Sequence, residues 1–331
     1  MNLPEAYRDS GTPHFRFQWF SGFFCQVLAD GSRQHLISTI PPEREKYEIR
    51  LNPVQFGIVT VRLPGWNCHV KWIYLLGLAS IVSAAPLSYE CRFSQQPPVI
   101  DGDLAEAAWK DIPWTSDFSD IRGKGFDVPR FRTRAKILWT AEGLHIAAEL
   151  SEPHVWATLT EKNAVIFNDN DFEIFLDPDG DTLNYYEFEI NALGTIWELT
   201  LDKPYSKGGK PALGTNLPGL KSAVKIHGTI NHPADADTGW SVEVFMPWKD
   251  LARYQGRLTS PPQPGDTWRI NFSRVQWQHE LENGRYLRIP RKDTKIPNGE
   301  HPEDNWVWSP QGVINMHLPE HWGRLVFVKL P

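Results

Sequence analysis

The residues with the most to offer chemically lie near the C-terminus. The stretch 303–312, EDNWVWSPQG, places Trp306 and Trp308 among Asn, Pro and Gly, and Trp322 follows in a setting rich in His and Pro. An indole in such a loop-like run can lie flat against a ligand, and its face packs well on the C–H face of a sugar ring. Pro310 and Gly312 mark a loop around Trp308, so Trp308 is the expected stacking platform, with Trp306 and Trp322 as packed supports. A second chemistry is offered by Asp177, Asp179 and Asp181, three carboxylates around Gly180. Hard oxygens in a tight turn suit calcium, although the same residues also make an ordinary hairpin turn.

Other reactive arrangements are missing from the sequence. His317 and His321 are four apart, but Pro319 between them discourages a zinc-binding helix. There is no G-x-S-x-G nucleophile elbow. Glycoside hydrolysis needs only two carboxylates across a cleft, about 5 to 10 Å apart, so a hydrolase stays open as an alternative to a binder. A haem-binding sandwich is a third reading, with Met246, Met316 and His317 as the obvious axial donors.

The elements that must hold these residues are mostly short strands. Thr133–Trp139 and 144–150 flank a Gly-containing turn, and 172–177 and Tyr185–Asn191 flank Pro178-Asp179-Gly180-Asp181. Further strands are expected at 195–201, 223–230, 240–246, 268–275 and 324–328. In Phe172-Glu173-Ile174-Phe175 and Ser241-Val242-Glu243-Val244-Phe245 apolar and polar side chains alternate, as on a sheet with one buried face. Helices are few: 104–109 with Asp103 as N-cap, and at most a turn at 248–251. Strands at this spacing imply an all-β fold, a single antiparallel β-sandwich in residues 91–331. Trp139, Trp240 and Trp268 fall inside strand patterns and are expected in the core.

Composition sets outer limits. Of 331 residues, 41% are hydrophobic and 22% charged, with a net charge of −6. That is a globular composition without the basic face that nucleic acid requires. The three cysteines, Cys25, Cys68 and Cys91, are spaced for neither zinc nor a disulfide framework.

Lys71 precedes a mainly apolar stretch of eleven residues, WIYLLGLASIV, and then Ser83-Ala84-Ala85-Pro86. This pattern is a secretory signal peptide over 70–84, cleaved between Ala84 and Ala85, and it is too short to span a bilayer. Its internal position is explained if Val70 is the true start, read from a GTG codon, which leaves 1–69 as a spurious or disordered extension. A buried apolar element behind a real N-terminal domain is the other reading. The mature product is then expected to be secreted or periplasmic, without a transmembrane anchor.

Four blocks in order carry a resemblance. Val99-Ile100-Asp101-Gly102-Asp103-Leu104 with Glu106 and Trp109, then Arg134 to Trp139 with Leu144-His145-Ile146, then Asn170 to Asp177, and finally Trp240-Ser241-Val242-Glu243 together resemble the family 9 carbohydrate-binding modules. The chain looks like the stand-alone secreted family 9-like proteins of bacteria over about 97–329. The resemblance implies a sandwich that binds poly- or oligosaccharide by clamping a chain end between two tryptophans, with calcium holding loops, often alongside glycan-degrading enzymes. Carried onto this chain, Trp308 matches the later tryptophan and Phe167 stands at the earlier one. Glu173 matches a carboxylate that binds sugar hydroxyls, Asn191 lies where the family has Asn, and Glu189 replaces the family's arginine.

Overall fold

The computed structural model describes residues 86–254, 256, 260–291 and 301–329, together with the backbone of four strands nearer the N-terminus. The chain divides into two units, Met1–Val82 and Ser83–Pro331. In the first, β1 (Phe15–Gln18), β2 (Phe24–Asp30), β3 (Arg33–Ser38) and β4 (Tyr47–Ile49) form an antiparallel sheet in that order. The signal peptide expected over 70–84 lies outside the described residues.

The second unit opens with β5 (Ser88–Phe93), the single helical turn α1 (Ala107–Lys110), β6 (Ser119–Asp120), β7 (Thr133–Trp139) and β8 (Gly143–Ser151). It continues through β9 (Asp171–Asp177), β10 (Tyr185–Asn191), β11 (Ile196–Leu201), β12 (Pro211–Leu213), β13 (Lys221–His227) and β14 (Gly239–Pro247). After α2 (Trp248–Leu251) come β15 (Thr267–Gln276), β16 (Gln278–Glu282), β17 (Arg285–Ile289), β18 (Asp304–Val307) and β19 (Gly323–Val328). β16 and β17 form a separate hairpin.

The strands run in the order β12-β11-β10-β9-β15-β19-β5-β7-β8-β14-β13, with β18 and β6 attached at β15. β5 pairs in parallel with β19 and β7, and the other pairs are antiparallel. The sheet curls so that its two wings share one core: Phe172, Ile174 and Phe272 from one wing join Ile137, Ile146 and Val244 from the other. This is the expected mostly antiparallel sandwich. Period-two alternation creates it: every second residue of β8, β9 and β14, and most of those on β7 and β15, are apolar and point inward.

Tryptophans fill the centre as expected. Trp139, Trp240 and Trp268 are buried. Trp248 meets Trp268 edge-on at 5.7 Å, and Phe327 packs edge-on against Trp139 and Trp268.

The helix expected over 104–109 begins later. Asp103 Oδ1 accepts from the Ala105 amide at 3.1 Å, which stabilises a local turn instead, and the helical turn follows at Ala107–Lys110. Residues 304–307, read as loop from their Asn and Asp, form β18, because register with β15 supplies their backbone partners. Of the suggested haem donors, Met246 lies in the main core and Met316 in a separate apolar cluster.

Candidate functional site

Strand alternation puts a row of polar side chains on the wing face that points away from the core. On β9 these are Asp171, Glu173 and Asp177 with Phe175, and on β10 they are Glu187, Glu189 and Asn191 with Tyr185. Register then aligns them: Trp197 of β11 pairs with Glu189, Glu189 with Glu173, Glu173 with Ser273 of β15, and Ser273 with Val307 of β18. A face this polar would ordinarily be wet. Here Glu173, Glu187 and Glu189 are at most 4% exposed.

What covers the face is a set of loops that leaves a cavity of about 550 Å³. Its floor includes Glu173, Glu187 and Glu189, and Phe167, Trp197 and Tyr205 add aromatic surface. The volume lies in the usual range of small-molecule sites, about 300 to 1,000 Å³.

Phe167 is 40% exposed and is held at the cavity by its backbone. Its amide donates to Glu189 Oε2 at 3.0 Å, and its carbonyl accepts from Trp277 Nε1 at 2.9 Å. Its ring lies 6.1 Å from that of Trp197, tilted by 37°. The two rings give a ligand apolar surface beside the carboxylates.

Burial controls the electrostatics. It pushes the pKa of Glu173 up to about 7, with Glu303 adding to the rise. Burial and then the charge of Glu173 hold Glu187 and Glu189 well above the usual carboxylate range, and the same two causes raise Asp171. Asp171, Glu173 and Glu189 each bring an oxygen within 4.8 Å of the others, a donor set that could also hold a metal ion. His317 lines the cavity with its Nδ1 3.1 Å from the Tyr185 hydroxyl, and burial lowers its pKa to about 4, so it is neutral at pH 7.

Three of the residues singled out from sequence meet here: Phe167, Glu173 and Glu189. Trp308 does not. It is 3% exposed and packed inside the main core, 6.4 Å edge-on from Tyr89 and 6.0 Å from Phe272. Gly323 lies so close that an added Cβ would fall 2.3 Å from the indole. Enclosed in this way, Trp308 is a core residue and offers a sugar no platform. Trp306 is also buried, 5.2 Å from the Arg274 guanidinium, and Trp322 donates its indole N–H to the Met316 carbonyl at 2.8 Å.

Asn191 also has another task. Its Nδ2 donates to the Leu159 carbonyl and to Asp169, and its Oδ1 accepts from the amides of Leu193 and Thr195. Its hydrogen-bonding capacity is spent on the turn after β10, leaving none for a ligand.

Asp177, Asp179 and Asp181 do converge, with one oxygen of each within 4.8 Å of the others. Asp177 is fully buried and accepts from the amides of Gly180 and Thr182 at 3.0 and 2.9 Å. The oxygens are of the hard type that suits calcium.

Sequence reasoning passes over Glu187 and leaves Trp197 as a secondary candidate, read as structural before ligand-facing. The signal for Glu187 was the alternation Tyr185-Glu187-Glu189-Asn191, which puts all four on one face. Register with Glu189 is what brings Trp197 to the cavity.

The family model described as carbohydrate family 9 binding domain-like matches residues 100–265. No curated protein sequence matches the chain. Among solved structures, a candidate carbohydrate-binding protein from Bacteroides uniformis matches with a TM-score of 0.52 at 17% identity, over 73% of this chain and 100% of that one. A carbohydrate binding module family 9 from Caldicellulosiruptor kristjanssonii, solved with cellotriose, matches at 0.41 and 14% identity over 74% of this chain and 95% of its own. Its glucose complex matches at 0.40 and 15% over 73% and 97%. The first of these likenesses supports the fold.

Proposed function

The chain belongs to the carbohydrate family 9 binding domain-like family, and from that premise we propose that it is a secreted, non-catalytic protein that binds poly- or oligosaccharide at the cavity over β9 and β10. The observation that carries the proposal is the row Trp197, Glu189, Glu173 opening on that cavity with Phe167 beside it. A sugar ring lies with its C–H face on Phe167 and Trp197, and its hydroxyls donate to the glutamates. This pairs apolar contact with polar orientation, as sugar recognition requires.

Binding fits the geometry better than hydrolysis. A glycosidase sets its two carboxylates on either side of the scissile bond, whereas Glu173 and Glu189 stand side by side on one floor. The association with polysaccharide breakdown is then that of a targeting module, and secretion follows from the signal peptide read over 70–84. Calcium is assigned a supporting role at Asp177, Asp179 and Asp181, bracing the β9–β10 turn.

Affinity electrophoresis against xylan and glucan gels, followed by calorimetry with short oligosaccharides, tests the main reading. Retention that Phe167→Ala removes is expected. Absence of retention on every polysaccharide overturns it, and turnover of the same panel would replace it with an enzyme. N-terminal sequencing of the exported product tests the leader: a mature chain starting well before Leu76 removes it.

A further inference from the structure

The cavity floor is more acidic than a neutral sugar needs. Glu173, Glu187, Glu189 and Glu303 line it, and among the described residues no lysine or arginine does. Glu187 Oε2 is buried without a hydrogen-bond partner, and so is Asp171 Oδ2 in the cluster with Glu173 and Glu189. Glu187 is 4% exposed and faces the cavity. Two nearby cations among the described residues pair elsewhere, Arg274 with Glu152 and Lys162 with Glu198. Of the two lining histidines, His317 is neutral and His301 pairs with Glu303 at 3.7 Å. A buried oxygen left without a partner is destabilising, and more so when charged. Among the described residues no cation meets this floor, so its glutamates, which burial holds toward their protonated form, would ionise only against a cation that the ligand brings.

Two kinds of cation are candidates. A bare divalent ion would engage Asp171, Glu173 and Glu189 but would leave the aromatic wall and Glu187 unused. An organic ammonium on a ring uses both, because three N–H donors can reach three carboxylates while the ring covers Phe167 and Trp197. The volume also suits an organic ligand better than an ion.

We infer that the cavity takes a protonated amino sugar of the glucosamine-oligomer class, with its ring against Phe167 and Trp197 and its ammonium among Glu173, Glu187 and Glu189. This rests on the carbohydrate reading above and specifies its ligand. N-acetylation removes the charge and adds bulk, so acetylated sugars are excluded as well as neutral ones being disfavoured. Charge-assisted hydrogen bonds are stronger than neutral ones, so the preference should be large.

The test is calorimetry on the full chain with three tetrasaccharides that differ at the second carbon: the glucosamine tetramer, its N-acetylated form and cellotetraose, each with calcium and with EDTA. The expected result is binding of the glucosamine tetramer roughly tenfold or more tighter than either other sugar, weakened by added salt and reduced by Glu187→Gln. The unaltered chain decides the matter even if a variant misfolds. Cellotetraose binding as tightly as the amine overturns the inference and leaves the carbohydrate reading standing. Cellotetraose binding that appears only with calcium overturns it in favour of a metal on the same carboxylates. Glucosamine monomer and a simple alkylamine are added as controls, and equal binding of the alkylamine overturns the sugar component. No binding by any sugar overturns both readings.

Discussion

Glu189 stands directly opposite Glu173 on adjacent antiparallel strands, and the two side chains are 1% and 4% exposed. Like charges facing across a ladder destabilise it, and burial makes their ionisation costlier still. The pair is stable with protons on it.

A pH dependence follows, and its sign is fixed by the direction of the shift. The pKa of Glu173 rises from an ordinary 4.5 to about 7 on folding, so between those values the folded chain holds a proton that the unfolded chain has lost. Its contribution is fully present below 4.5 and is lost as pH rises through about 7, a loss of roughly 3 kcal/mol for this group. Asp171, Glu187 and Glu189 shift in the same direction. Urea unfolding should therefore show stability falling from about pH 5 to about pH 8, and Glu173→Gln should flatten that fall. A parent chain that gains stability over this range contradicts the shift.

Phe167 and Trp308 should separate binding from folding. Phe167 is 40% exposed, so Phe167→Ala should weaken sugar binding with less than about 1 kcal/mol lost from stability. Trp308 is enclosed by Tyr89, Phe272 and Gly323, and Trp308→Ala should cost about 3 to 5 kcal/mol through the cavity it leaves. Paired denaturation and binding measurements on both variants check this. A stable Trp308→Ala that has lost only sugar binding would return the tryptophan to the site.

The clasp between the chain's first family block and its last gives a third test. Glu243 on β14 accepts from the Trp109 indole at 2.6 Å and from the amides of Asp101 and Gly102 at 3.1 and 2.8 Å. Gly102 has φ of 85° and lies against the backbone of β13, where a Cβ would fall 2.7 Å from the Lys225 amide. Glu243→Gln turns an acceptor into a donor facing N–H groups, and should cost about 2 to 3 kcal/mol. Gly102→Ala should also destabilise, through both φ and the clash. Thermal unfolding of the two variants checks both, and midpoints unchanged from the parent would deny the clasp.

That clasp shows why the fold was legible and the site only partly so. Ile100-Asp101-Gly102, Trp109 and Trp240-Ser241-Val242-Glu243 were visible as separate motifs because local geometry demands those residue types, and strand alternation in β7, β9, β10 and β14 needs no distant information. Phe167, Glu173 and Glu189 came through the family resemblance, and the structure brings them together. The exposure of an indole, by contrast, depends on what packs over it. Pro310 and Gly312 suggested a loop at Trp308, and the residue does fall just past β18, yet Tyr89, Phe272 and Gly323 enclose it. Glu187 follows from alternation within β10, whereas Trp197 joins the site through cross-strand register with Glu189, which periodicity within one strand does not specify.

The turn between β9 and β10 separates two roles for its aspartates. Asp177 is buried and its two oxygens hold the Gly180 and Thr182 amides, and Thr182 sits at φ of 72°, a conformation that needs such support. Asp177→Asn should therefore destabilise the chain by about 1 to 3 kcal/mol with or without calcium. Asp181 is exposed, and its Oδ1 accepts from the nearby Leu183 amide, so Asp181→Asn should leave the metal-free stability nearly unchanged. If calcium binds, a concentration of about 100 times its dissociation constant adds about 2.7 kcal/mol, which shows as a rise in the midpoint of the parent that is diminished in Asp181→Asn. Thermal unfolding in calcium and in EDTA measures both effects. A parent midpoint identical in the two buffers removes calcium from this turn and leaves Asp177 holding it through its own hydrogen bonds.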